Sequence, residues 1–170
     1  HLAEQAHEVL FLRDRMSGTP MDSLLLPEIQ KTLERNRGNL LVVVHTYGSH
    51  STYSDRYERN QAHFTPDVAL KATKENRDIL INAYDNTIRY TDRMLHSIIG
   101  LLQAQDRPAA MLFASDHGED IYDDSRNLYL HASPWPSYYQ LHVPLLVWTC
   151  DMYREHYPER VSMVESRKNE

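Results

Sequence analysis

The chain carries one cysteine, Cys150, among its 170 residues. It closes no internal disulfide, and that alone fixes no redox compartment, because exported proteins can lack disulfides. Basic residues are in the minority, 18 Lys and Arg against 24 Asp and Glu, for a formal charge of −6. No long basic run offsets this, so nucleic acid is not expected as a partner, since phosphate binding needs clustered cations. Long apolar runs are missing too. None approaches the roughly 20 residues of a membrane-crossing helix. There is no basic-then-apolar leader at His1, and the opening "HLAEQAHEVL" reads as an excised or processed piece.

What is present is ordinary globular material, 41% hydrophobic and 25% charged. The length suits a single domain over residues 1–170, and a chain near this size hides roughly 68–70% of its unfolded surface. The oddity is 10 histidines and 11 tyrosines.

The first sixteen residues are ambiguous between a short strand and a helix face. "SGTP" at 17–20 reads as a turn. "PEIQKTLERN" reads as a helix with Pro27 near its first turn. Residues 40–44, "LLVVV", form the β-branched run of a strand buried on both faces. "RPAAMLFAS" and "LHVPLLVWT" read as a second and third buried strand, and the stretch between 50 and 66 as loop. Between the first two strands, residues 74–105 carry Ile79, Ala83, Tyr90, Met94 and Ile98 at helical steps, which predicts one long amphipathic helix. The tail from Met152 is polar and helical in pattern. Strand, helix and strand in alternation predict an α/β fold, a mostly parallel sheet flanked by helices. Ligands of such sheets bind beyond the carboxyl ends of the strands.

The chemistry-bearing residues follow strand ends. Asp116 and His117 offer a carboxylate and an imidazole side by side, both suited to zinc, with Gly118 permitting a sharp turn. The alternative is a helix N-cap at Asp116. His45 and His50 flank a glycine-containing loop, where a strand-closing hydrogen bond and a solvated ring are the plainer reading. Glu119 suits a carboxylate that orients an imidazole. His131 and His142 are each readable as turn or structural histidines. Asp123, Asp124 and Arg126 read as a solvated loop. Asp85 and Asp92, seven apart, share a face of the long helix with Asn82 and Asn86 nearby, a polar face being the simpler reading.

Taken together, "VHTYGSHSTYSDRY", "INAYDNTIRYTDRML", "SDHGEDIYDD", "LYLHASP" and "HVPLLVW" resemble, in order, the lipid A phosphoethanolamine transferases, members of the sulfatase and alkaline phosphatase superfamily. The resemblance implies an α/β/α sandwich of which this chain is the C-terminal portion, truncated at both ends. It implies a parent at the inner membrane with its catalytic domain in the periplasm, and a piece that is soluble by itself. The parent would move phosphoethanolamine from phosphatidylethanolamine to lipid A or another glycan through a covalent threonine. One or two zinc ions are implied, poorly retained by this piece. By the same resemblance Asp116 and His117 are the metal pair. His50 and His131 hold a second metal or phosphate oxygens, or protonate the leaving group, and Glu119, His45 and His142 lie behind them or at the substrate. The nucleophilic threonine and a ligand glutamate match nothing in these 170 residues. Two other readings remain: a hydrolase of sulfate or phosphate esters in the same superfamily, and a domain that binds without catalysis.

Overall fold

A computed structural model describes residues 5–15, 20–131 and 133–168. In chain order its main elements are α1 (Leu26–Arg35), α2 (Arg77–Gln103), β1 (Ala110–Ala114), β2 (Asp120–Ile121), β3 (Tyr129–Leu130), α3 (Tyr138–Leu141), β4 (Leu145–Thr149), α4 (Asp151–His156) and α5 (Pro158–Glu165). The turn expected at 17–20 falls almost wholly outside the described residues. The ambiguous N-terminal stretch holds a short 3-10 turn, Leu12–Arg15.

Helix α2 is the spine, 27 residues and therefore about 40 Å long. Its C-terminal half buries Met94 and Ile98 against Ile29 and Leu33 of α1, whose Pro27 stands in the first turn as expected. Its N-terminal half buries Leu80 and Ala83 against Tyr53 and Ile121. Leu80, not Ile79, faces inward at that end. Between the two clusters the stripe turns polar: Asn86 and Thr87 are each only 1% exposed. The Asn86 amide accepts from the backbone N–H of His63 and Phe64 at 2.8 and 3.0 Å, and donates to the Phe64 carbonyl at 2.9 Å. It thus substitutes for backbone partners that a loop cannot supply itself. The loop expected between 50 and 66 is an anchored one, with Tyr53 and Tyr57 buried and Asp67, just beyond it, held by Tyr57 and Arg59.

Helices and strands alternate as the α/β class requires, but the strands pair differently from expectation. Strand β1 pairs antiparallel with β4, Leu112 opposite Val147, and β2 pairs antiparallel with β3. The cause is the connection. The chain leaves β1 at its carboxyl end, makes the β2–β3 hairpin and α3 there, and re-enters from that same end, so it must run back. Residues 40–44 form no paired strand among the described residues. Only Val44 packs inward, while Leu41 and Val43 are 87% and 76% exposed. The β-branched run favours extended backbone, yet a strand also needs a neighbour to bond. Strands β1 and β4 likewise turn one apolar face outward, with Leu112 and Leu145 each 70% exposed.

Candidate active site

The loop after β1 brings its residues together through backbone contacts. The Gly118 N–H donates to the Gln140 carbonyl at 2.8 Å. A Cβ built on Gly118 would lie 2.0 Å from the Tyr139 carbonyl oxygen. Glycine is therefore required here by the close approach of α3; no positive φ is involved. Asp120 is buried and accepts a hydrogen bond from the Gln140 side chain, which locks the same two segments again. Asp116 caps no helix: none begins there.

The hairpin then sets Glu119 against His131. Asp120 pairs with Leu130 and Ile121 with Tyr129, so Glu119 and His131 are the next pair along that register. Leu130 has φ +67°, a left-handed backbone that is costly for a bulky side chain. It sits immediately before His131, whose Nδ1 lies 2.8 Å from Glu119 Oε1. Asp123 is not solvated loop as expected. It accepts from the Ile121 N–H at 2.6 Å and from Arg77 at 3.0 Å, fastening the hairpin to α2.

Three imidazoles form a row. The His117 and His131 rings lie 3.7 Å apart between centroids, and His131 and His50 lie 6.3 Å apart. The distant loops expected to meet therefore do meet. In each ring Nδ1 faces an oxygen: the Ser51 carbonyl for His50 at 2.8 Å, the Gly118 carbonyl for His117 at 2.9 Å, and Glu119 for His131. Carbonyl and carboxylate oxygens accept, so Nδ1–H donates and Nε2 is left free in every case. One ligand atom each from His117, Glu119 and His131 lies within 4.8 Å of the others. Asp116 is outside that triad, its side chain 83% exposed, with Oδ2 3.9 Å from His117 Nε2. Two ligands of one tetrahedral zinc stand about 3.4 Å apart. The donor set, imidazole nitrogen with carboxylate oxygen, fits zinc.

His45 is exposed and joins none of these rings among the described residues. His142 is also exposed and stacks on Tyr138 at 4.8 Å. Together with Tyr138 and Tyr139 it borders a cleft of about 270 Å³ that Glu119 also lines.

Several supporting residues were given no role of their own from the sequence. Asp22 accepts from the N–H of Tyr47 and of Gly48, both at 2.8 Å, and so shapes the loop that carries His50. The Ser49 hydroxyl lies 2.6 Å from that of Thr87, which donates to the Tyr84 carbonyl, fixing the loop to α2. The Tyr53 hydroxyl sits 3.4 Å from Glu119 Oε2. Burial, then the Glu119 charge, pushes the Tyr53 phenol far above its ordinary range, so it stays a donor. Only the coincidence of polar residues with the α2 stripe hinted at this in the sequence.

Known proteins resemble this chain in sequence and in fold. The sulfatase family profile matches residues 4–167. Kdo(2)-lipid A phosphoethanolamine 7''-transferase of Escherichia coli K12 is 36% identical over 148 residues, 84% of this chain and 25% of that protein. The soluble domain of lipooligosaccharide phosphoethanolamine transferase A from Neisseria meningitidis superposes with a TM-score of 0.76 at 32% identity, over 83% of this chain and 43% of that one. The C-terminal periplasmic domain of EcEptC from Escherichia coli, in complex with Zn, gives 0.75 at 25% identity, over 86% and 42%. The chain thus spans about a quarter of the length of the curated relatives it matches. With that profile running through nearly all of its length, and phosphoethanolamine transferases among both its sequence and its structural relatives, the chain belongs to the sulfatase family.

Proposed function

We propose that this chain is the C-terminal portion of a periplasmic catalytic domain, in a protein anchored at the inner membrane. That protein moves phosphoethanolamine from phosphatidylethanolamine to lipid A or a related glycan. The observation that carries the reading is the convergence of His50, Asp116, His117, Glu119 and His131 at one end of β1. The relatives give it its substrate class.

Asp116 and His117 Nε2 hold the metal in this reading. Glu119 and His131, beside His117, are left for proton transfer. Bound zinc would supply Lewis-acid polarisation of a phosphoryl oxygen and acidify a coordinated hydroxyl. The residues of the chain do the rest. Glu119 fixes the His131 ring through Nδ1 and stabilises it when doubly protonated. His131 Nε2 then gives its proton to the diacylglycerol oxygen as the bond from that oxygen to phosphorus breaks. The phosphoryl group passes to the oxygen of a threonine outside these residues, whose hydroxyl proton goes to solvent. The acceptor hydroxyl later loses its proton to the same imidazole while its oxygen bonds phosphorus and the threonine is freed. The His50 ring lies 6.3 Å from that of His131, and its Nε2, once protonated, donates to phosphoryl oxygens.

The test uses the intact, zinc-loaded protein with fluorescent phosphatidylethanolamine and lipid A. Diacylglycerol release with matching phosphoethanolamine gain on lipid A is expected, reduced roughly 10²–10⁴-fold in His131→Ala. Release of free phosphoethanolamine with no modified acceptor would instead make the protein a hydrolase.

A further inference from the structure

The cleft beside the triad is used by none of these steps. It lies between α2 and α3, and Tyr84, Asp85, Glu119, Tyr138 and Tyr139 contribute to its walls. Its acids differ in what they already do. Glu119 is engaged with His131 and Tyr53. Asp123 is engaged with Arg77. Asp85 is half-buried and makes no hydrogen bond or ion pair among the described residues. No Lys or Arg lines the cleft to balance it.

The field inside is accordingly negative. Burial is the first cause that raises the Tyr84 phenol, and the charges of Glu119, Asp85 and Asp123 raise it further. Burial also raises the Asp85 carboxyl, a cost that an arriving cation offsets. The rest of the wall is aromatic, from Tyr84, Tyr138, Tyr139 and His142, and aliphatic, from Ile81 and Ile121. Tyr138 meets Tyr139 edge-on at 5.8 Å and stacks against His142. Phenol faces attract organic cations, whereas a hard metal ion would require several oxygen ligands where one unpaired carboxylate is offered.

We propose that this cleft binds a small organic ammonium, with the Asp85 carboxylate as its counter-ion and the Tyr84, Tyr138 and Tyr139 rings around it. Because Glu119 lines both the cleft and the triad, a phosphate ester held at the triad extends a short aminoalkyl arm into the cleft. The assignment rests on the transferase reading for its substrate, the ammonium of an ethanolamine headgroup. It makes Asp85 the residue that selects an amine-bearing donor over a neutral one.

Calorimetric titration of O-phosphoethanolamine and of ethyl phosphate into the intact, zinc-loaded protein tests it, since the two ligands differ only by the amine. The wild type should bind O-phosphoethanolamine about tenfold more tightly, as expected for one charge-assisted contact. Asp85→Asn should cut that preference to within about twofold, with its zinc content and circular dichroism retained. Tyr138→Leu, at a position 66% exposed and so tolerant of change, should lower the preference by about two- to fivefold. Equal wild-type binding of both ligands, or a preference that survives Asp85→Asn, overturns the assignment. Equal weakening of both ligands by Asp85→Asn also overturns it, as that marks a structural role. Amine preference without diacylglycerol release from phosphatidylethanolamine would leave the cleft standing and remove the transferase reading. Release without the preference would do the reverse.

Discussion

Replacing Gly118 with alanine should damage both the fold and the metal site, for a reason that can be sized. The new Cβ would stand 2.0 Å from the Tyr139 oxygen and 3.2 Å from its carbonyl carbon, where real contacts stay above 3.0 Å. Helix α3 and the 116–120 loop would have to part by at least 1.0 Å, the difference of those limits. Overpacking of this kind costs about 1–3 kcal/mol. The 2.8 Å hydrogen bond from Gly118 to Gln140 would stretch or break, adding about 0.5–1.5 kcal/mol. The total, roughly 2–4 kcal/mol, should lower Tm by roughly 5–15 °C for a protein of this size. His117 and Glu119 flank the glycine, so zinc affinity should fall as well, by about 10–100-fold. Gly100→Ala is the control. Nothing lies within 4 Å of its Cβ position and it sits inside α2, so the same change should stabilise by about 0.5–1 kcal/mol. Thermal melts by circular dichroism and zinc titration read both. A Gly118→Ala protein melting within a degree of wild type, with unchanged zinc affinity, would refute the reasoning.

Two further outcomes are expected. Glu119→Gln keeps the volume but removes the charge that holds His131, so zinc affinity should fall about tenfold, measured by competition with a chelating dye. Asp67 is held below its ordinary 3.8 chiefly by hydrogen bonds from Arg59, opposed by burial and aided by Tyr57. Its folded pKa lies below the unfolded one, so its contribution is complete above about pH 4 and disappears as pH falls through the folded value. Asp67→Asn should therefore flatten the loss of Tm on acidification below pH 4, and a slope as steep as wild type would exclude the pair as a source of acid sensitivity.

How far the sequence was readable differs by feature. Helix α2 was legible because Ala83, Tyr90, Met94 and Ile98 repeat at its period. Residues 110–114 and 145–149 were legible as strands from composition, though their direction was not, since direction depends on which end of β1 the intervening chain returns to. The meeting of His50, His117 and His131 was expected from positions after strand ends, a premise that holds for His117 after β1 and for His131 after β3 but not for His50, since residues 40–44 form no paired strand among the described residues. What joins Glu119 to His131 was not expected. That pairing depends on two strands of two residues each, joined through Tyr122 and Asn127 in left-handed backbone, too short to leave a period. Asn86 and Thr87 were hidden for a different reason. A polar residue inside an apolar stripe reads as solvent-facing unless the loop that will claim its hydrogen bonds is already known. Gly118 was read as a turn residue, whereas its role is to leave room for a segment 21 residues later, Tyr139.

The outward face shared by β1 and β4 has a consequence for how the molecule behaves in a crowded solution. Leu112, Val147 and Leu145 point the same way from neighbouring register positions, and Leu41 and Val43 are bare as well. The β1–β4 face thus repels water while the acids elsewhere on the chain keep it dispersed. In this chain taken by itself such an apolar face favours association of like copies wherever the charge is screened by salt, and a detergent film would compete for the same side chains.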